Sequence, residues 1–256
     1  MQEIDFHRAL FCPPGRHGGT IVDAGAHEGR LALDLAALPG AKLLAFEPLP
    51  SARARLAAAF LARFGTLPAH VTIRPEALGV HGGEILLQVP RIRAPDGSEM
   101  ECEEWASVAK DYAAIAAADP RVLAVTTHRV PVMRLDDLFL ADLRAMKIDV
   151  EGAEAELIAG ARETLLRCRP ILSVEIEERH RPGSTRDVPA QLSALGYEGF
   201  FEFFGDWRPV QKFDPNAMQR ASPSPAEFAV GDPYVFTFYF VPPERRAELA
   251  ALARLP

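Results

Sequence analysis

Thr20-Ile21-Val22-Asp23-Ala24 runs directly into a glycine-bounded turn, Gly25 to Gly29, and then into the apolar stretch Leu31 to Leu38. A short β-branched run, a bare turn and a helix-length segment make the first unit of a parallel sheet, because parallel strands need a crossover between them. The unit repeats. Lys42 to Phe46 is a second strand closed by Glu47-Pro48, Pro50 to Phe64 is rich in Ala, Leu and Arg and reads as helix, and Val71-Thr72-Ile73 opens a third strand. Further along, Met146 to Val150 is a buried strand, Ala153 to Arg167 a helix, Pro170 to Ile176 a strand and Val188 to Leu195 a helix ended by Gly196. The expected fold is a doubly wound α/β domain. Its sheet is mostly parallel, with an antiparallel strand near the edge formed by Tyr234 to Val241.

The middle is less regular. Glu84 to Val89 and Val130 to Leu135 read as strands, 91–104 as loop and Ala106 to Ala118 as helix. Phe200 to Phe204 reads as a late strand, and Pro243 to Leu255 as a terminal helix. The aromatics Phe200, Phe201, Phe203, Phe204 and Trp207 are expected in strand core rather than around a substrate. At 256 residues, one domain spanning 1–256 with its core at about 20–200 fits best.

Composition excludes several classes. Lys and Arg number 28 against 35 Asp and Glu, a net charge of −7, with no basic block. This argues against general binding to nucleic acid or anionic membrane. No apolar run reaches a membrane span, and the acidic N-terminus does not read as a signal peptide. Cys12, Cys102 and Cys168 are odd in number and widely spaced, so neither a disulfide framework nor a zinc site is expected, and the cytoplasm is the default compartment.

The turn after the first strand fails the dinucleotide fingerprint, since His27 and Arg30 stand where glycines are required, and no Walker A loop is present. What remains is Asp23-x-Gly25-x-x-x-Gly29, with Glu47 placed about 20 residues beyond the turn to accept ribose hydroxyls. Asp23, Glu47, Glu76 and Asp149 all fall at carboxyl ends of expected strands, where an open parallel sheet binds ligands. A glycine turn alone also serves as a plain connection, and Glu47 alone as a helix-start acid. Gathered at one rim, these acids suit a cationic nucleoside without phosphates, as S-adenosylmethionine is.

The string Val22-Asp23-Ala24-Gly25-Ala26-His27-Glu28-Gly29, then Ala45-Phe46-Glu47-Pro48, then Met146-Lys147-Ile148-Asp149-Val150-Glu151-Gly152-Ala153-Glu154 resembles the FkbM family of S-adenosylmethionine-dependent methyltransferases. Arg134 to Leu138 and Pro170 to Glu175 extend the similarity, which covers about Thr20 to Ile176. The resemblance implies a Rossmann-like class I methyltransferase fold, with Asp23, Gly25, Ala26, His27, Glu28 and Gly29 around the methionine portion. It further implies Glu47 and Pro48 at the ribose, Glu76, Ala77 and Leu78 at the adenine, and Asp149 and Glu151 near the sulfonium. His27 stands where family members commonly carry Asn. The resemblance also supplies the expected activity, O-methylation of a small or glycosidic metabolite.

A hydroxyl acceptor needs its proton removed, and His180, Asp149 and Glu175 are the candidates near the ends of the fourth and fifth parallel strands. The acids flanking His180 are expected to raise its pKa. Asp149, Glu151 and Glu175 have the chemistry for a divalent ion, but a cofactor-positioning role needs none and no metal is expected. His7, His17, His70, His81 and His128 show no acid/base partner in sequence and read as surface or loop residues. Two segments, 91–124 and 214–233, are placed to cover the crevice; a lid at 214–233 would lose protease sensitivity once cofactor and acceptor bind. The rival functions are an adenosylmethionine-binding regulatory or assembly subunit without turnover, and aminopropyl transfer. The expected partner is a small or sugar-containing acceptor, with homo-oligomerisation possible and neither nucleic acid nor membrane involved.

Overall fold

Backbone pairing sorts the strands into an eight-stranded sheet and a separate four-stranded sheet. The computed structural model describes residues 3–11, 18–94, 96–110, 112–219 and 234–253. The parallel core begins with β1 (Gly19–Ala24), β2 (Ala41–Phe46) and β3 (Val71–Arg74). The second sheet is built from β4 (Ala77–Leu78), β5 (Gly83–Arg93), β6 (Glu99–Glu101) and β7 (Val122–Met133). β8 (Leu143–Ile148) and β9 (Ile171–Glu175) return to the first sheet, which β10 (Glu198–Phe203), β11 (Asp206–Pro209) and β12 (Thr237–Val241) complete. Its order is β11-β10-β12-β9-β8-β1-β2-β3. The run from β9 through β8, β1 and β2 to β3 is parallel, whereas β12 pairs antiparallel with both β9 and β10. The antiparallel strand therefore lies inside the sheet near one end, and the β10–β11 hairpin forms the edge.

Helices cover both faces. One apolar layer packs α5 (Glu154–Gly160), α6 (Arg162–Cys168) and α7 (Ser184–Ala194) over Val22, Met146, Leu172 and Phe238. The other packs α1 (Glu3–Phe11), α2 (Ala32–Ala36) and α3 (Pro50–Phe64) over Ile21, Leu43, Ala145 and Ile171. Pro50 at the first turn of α3 and left-handed Gly65 (φ 75°) at its end account for the match to the expected boundaries.

Alternation along the strands sets up the site. Ile21 of β1, Ala145 of β8 and Ile171 of β9 face the α1 layer and are fully or almost fully buried. Two residues on, the same face carries Asp23, Lys147 and Ser173, which register side by side across the strands. The sheet face thus turns from apolar to polar toward its carboxyl rim.

Several expectations need correction. Residues 91–104 are not a loop: β5 runs on to Arg93, and Ser98 folds back on the Asp96 carboxylate at the tip of a hairpin with β6. Strand pairing over ten registers between β5 and β7 is long-range and leaves no local periodic signal. The helix expected over 106–118 is only α4 (Tyr112–Ala118). The helix expected over 153–167 is divided between α5 and α6. Gly160 lies so close to the Gly79 carbonyl that a Cβ would sit 1.8 Å from its oxygen. Asp136 then caps the restart by accepting from Glu163 N and Thr164 N. The N-terminal α1 and the edge strand β11 had no sequence expectation. Phe200 and Phe201 are core residues as expected, while Phe204 is exposed at the hairpin tip. Of the expected covering loop, 220–233 lies outside the described residues.

Candidate active site

A cavity of about 530 Å³ opens at the carboxyl rim of β1, β2, β8 and β9. Its floor is the turn after β1. Gly25 has φ 86°, and a Cβ there would meet the Asp149 carbonyl oxygen at 1.8 Å. Only glycine allows the turn and the end of β8 to approach so closely. Gly25 N and Ala26 N both donate to the Phe46 carbonyl, which ties the turn to the end of β2. His27 follows in a left-handed conformation (φ 46°) with its ring Nε2 buried and without a hydrogen-bond partner.

Glu47 is locked. Its Oε2 accepts from His27 N at 2.9 Å and its Oε1 from Leu49 N at 2.8 Å. Burial pushes its pKa up, and these two N–H groups draw it back toward the ionised form. Asp23 is the opposite case. It is 1% exposed, and neither carboxylate oxygen has a partner. Burial raises its pKa to about 6, with Lys147 opposing and Asp149 and Glu47 adding to the rise. A buried carboxylate without a partner on a cavity wall is an electrostatic demand for a cation or donor.

Lys147 lies beside it. Its Nζ is 2.8 Å from Asp149 Oδ2 and 3.1 Å from Glu175 Oε1. Burial works against its charge, but Asp149, Glu175 and Asp23 together hold it above the ordinary lysine range. Burial pushes Glu175 above the usual carboxylate range, against the pull of Lys147. The ammonium thus fills the space between Asp149 and Glu175 that a metal reading would need. Among the described residues no cluster of three metal-ligating side chains occurs.

The segment 103–110 closes the cavity from above. Glu103, Ala106 and Val108 line it. Ser107 Oγ donates to the Glu151 carbonyl at 2.5 Å, and Lys110 forms an ion pair with the Glu151 carboxylate. The absent side chain of Gly152 (φ 102°) makes room for Ala109, whose Cβ a Gly152 Cβ would meet at 2.9 Å. On the other side, Arg55 bridges Glu28 and Glu103.

The remaining expected residues divide. Pro48, Glu76, Ala77 and Leu78 line the cavity. Glu76 is gripped by both Arg74 Nε (3.0 Å) and Nη2 (2.8 Å), and Ala77 and Leu78 belong to β4 of the second sheet rather than to the end of β3. Glu151 lines the cavity, but His180 does not. His180 Nε2 lies 3.1 Å from Glu151 Oε2 and 3.2 Å from Glu177 Oε1, behind the wall. The expected rise in its pKa is also wrong. Burial first, then the nearby Lys110, drives it down to about 3, and the Glu177 charge does not compensate. Burial thus favours the neutral imidazole, which lies within hydrogen-bond distance of Glu151.

Sequence reasoning missed Lys147 and His7. Lys147 stood inside the quoted string, and its alternation with Asp149 was the available signal. His7, expected at the surface, is 1% exposed, lines the cavity and bonds Ser173 Oγ through Nε2 at 2.7 Å. It reaches the site only because α1 packs across the sheet, which no local pattern announces.

Residues 23–199 match the methyltransferase FkbM domain. No curated protein is a match. Among solved structures, the methyltransferase FkbM from Methylobacillus flagellatus is similar with a TM-score of 0.52 at 14% identity, covering 91% of this chain and 47% of that one. The chain thus spans about half the length of that relative. A putative rRNA-methylase from Clostridium thermocellum (TM-score 0.49, 12% identity, 94% and 94% covered) and precorrin-6y C5,15-methyltransferase from Geobacter metallireducens (0.47, 12%, 93% and 86%) are more distant in shape.

Proposed function

Because this chain belongs to the FkbM methyltransferase family, we propose that it transfers the methyl group of S-adenosylmethionine to a hydroxyl oxygen of a small or glycosidic metabolite. The observation that carries this reading is the unpartnered, buried Asp23 carboxylate beside the Gly25 turn, on the wall of a cavity. A positively charged nucleoside that lies against bare backbone satisfies both features at once. When bound, the cofactor supplies a methyl group already activated by its positive sulfur.

The chain's task is then alignment and proton removal. Glu47, pre-oriented by two backbone donors, accepts from the ribose hydroxyls. Asp23 faces the positive end. Leu49, Leu78, Ile85 and Leu87 supply apolar walls for a flat base. Asp149, at the end of β8, takes the acceptor proton, and Lys147, itself paired with Glu175, holds its carboxylate in place. Alignment of this kind is worth at most roughly 7–11 kcal/mol, and a positioned base about 10²–10⁴-fold. His180 contributes by fixing Glu151. No helix among the described residues is long and apolar enough to cross a membrane, and we place the reaction in the cytoplasm.

Calorimetric titration with S-adenosylmethionine and S-adenosylhomocysteine tests the reading first; no heat from either compound with folded protein would end it. Transfer of labelled methyl to a panel of hydroxylated acceptors then separates an enzyme from a binding subunit, and product mass separates methyl from aminopropyl transfer. Glu47→Ala is expected to weaken cofactor binding by about 1.5–3 kcal/mol, the worth of charge-assisted hydrogen bonds. An unchanged affinity would remove Glu47 from the ribose.

Asp23 makes binding pH-dependent. Its folded-state pKa of about 6 lies above the ordinary 3.8, so the free protein is penalised once Asp23 ionises, and stability falls as pH rises through that window. A cationic ligand prefers the ionised form. Affinity is therefore expected to be flat above about pH 6 and to weaken by up to about tenfold per pH unit below it. Asp23→Asn should remove this slope, as read by calorimetry between pH 5 and 8; a slope that persists in the variant assigns the titration elsewhere.

A further inference from the structure

The charges around the cavity are unequal in their commitments. Eight acidic side chains line it against two basic ones, Arg30 and Lys147. Lys147 is bracketed by Asp149 and Glu175. The basic groups just behind the wall are committed as well: Arg55 to Glu28 and Glu103, Arg74 to Glu76, Lys110 to Glu151. Arg30 alone among these carries no ion pair among the described residues. It follows Gly29 at the end of the floor turn, and its side chain is exposed at the mouth.

Such a surplus of carboxylates attracts the sulfonium and the ammonium of an amino-acid nucleoside and repels its carboxylate. A carboxylate that enters this field must meet a free cation or stay in solvent. From this we infer that Arg30 grips the carboxylate of the cofactor's amino-acid tail, with Asp23 and the acids of the floor taking its positive groups. The guanidinium is suited to the task. It is permanently charged, presents a planar fork that matches a carboxylate, and loses little hydration at the rim. The turn that supplies bare backbone at Gly25 thus ends, five residues later, in a cation that fixes the orientation of the tail. A nucleoside lacking the tail carboxylate gains nothing from Arg30.

This inference rests on the methyltransferase reading, and the experiment separates the two. Calorimetry measures S-adenosylhomocysteine, which has the tail, and 5′-methylthioadenosine, which lacks it, against the full chain and Arg30→Gln. The variant is expected to bind S-adenosylhomocysteine about tenfold or more weakly and 5′-methylthioadenosine as the parent does, with Arg30→Lys recovering part of the loss. An unchanged melting midpoint, expected for an exposed and unpaired side chain, shows that the variant is folded. Equal affinity of variant and parent for S-adenosylhomocysteine overturns the assignment. So does an equal loss for both compounds, or a tail-specific loss that appears in His7→Gln instead. A parent chain that binds neither compound overturns the methyltransferase reading and the Arg30 assignment with it, whereas a parent that binds both and a variant that does not discriminate overturns Arg30 alone.

Discussion

Lys147→Met is expected to destabilise the fold by about 3–5 kcal/mol at pH 8, the scale for stripping one partner from a buried ion pair. Removal of the ammonium leaves Asp149 and Glu175 facing each other across its former position, with Asp23 beside them. All of these carboxylates are in or near the low-dielectric interior, where an unpaired charge is most costly. Protonation is their only relief, so the deficit should shrink as pH falls. The sign follows from the parent, where Lys147 lowers the pKa of both Asp23 and Glu175. Without it their folded-state values rise further above the unfolded ones. The added penalty is present in full above those raised values and disappears as the groups take up protons. Urea denaturation of variant and parent at pH 8 and pH 5 measures the difference. A deficit below about 1 kcal/mol at both pH values would show that Lys147 is not the counter-ion of this cluster.

Gly25→Ala should be comparably severe, through sterics rather than charge. A Cβ would sit 1.8 Å from the Asp149 carbonyl oxygen, and φ of 86° is itself unfavourable for alanine. The obstacle is backbone, which cannot rotate away as a side chain can. Either β1 and β8 part at their carboxyl ends or the turn rebuilds, and both displace Asp23 and Asp149 together. We expect a loss of several kcal/mol in stability and no measurable affinity for S-adenosylmethionine. Gly65→Ala is the control, since nothing lies within 4 Å of its Cβ position and only the backbone penalty of about 1 kcal/mol applies. If Gly25→Ala bound the cofactor normally, the close approach would be irrelevant to the site.

The two substitutions mark how differently parts of the site show themselves in sequence. Gly25 was legible because a turn between a strand and a helix needs a residue free in φ, and the requirement is local. Glu47 was legible because the end of β2 follows within one strand–turn–helix unit. Asp149 and Glu151 sat in a string specific enough to name. Lys147 was present in that string and passed over, because its meaning comes from Glu175 and Asp23 on the neighbouring strands. His180 was visible as a residue and misjudged as an environment. Its sequence neighbours are acids, whereas its surroundings in space combine burial with Lys110, brought in from a distant segment.

Local chemistry in the sequence was enough to determine the alternation of strand and helix, the glycine turn and the acids at the carboxyl rim, while the family came from the resemblance carried by the strings at 22–29, 45–48 and 146–154. Tertiary structure alone decided that β5 and β7 pair into a second sheet, that α1 carries His7 to the cavity wall, that the segment at 103–110 latches onto Glu151, and that of the two basic side chains lining the cavity Lys147 is ion-paired and Arg30 is not, among the described residues. The division has a physical origin. Backbone conformation and alternation act over a few residues and are written into neighbouring letters, while burial and Coulomb interaction act across space between residues whose separation along the chain is arbitrary.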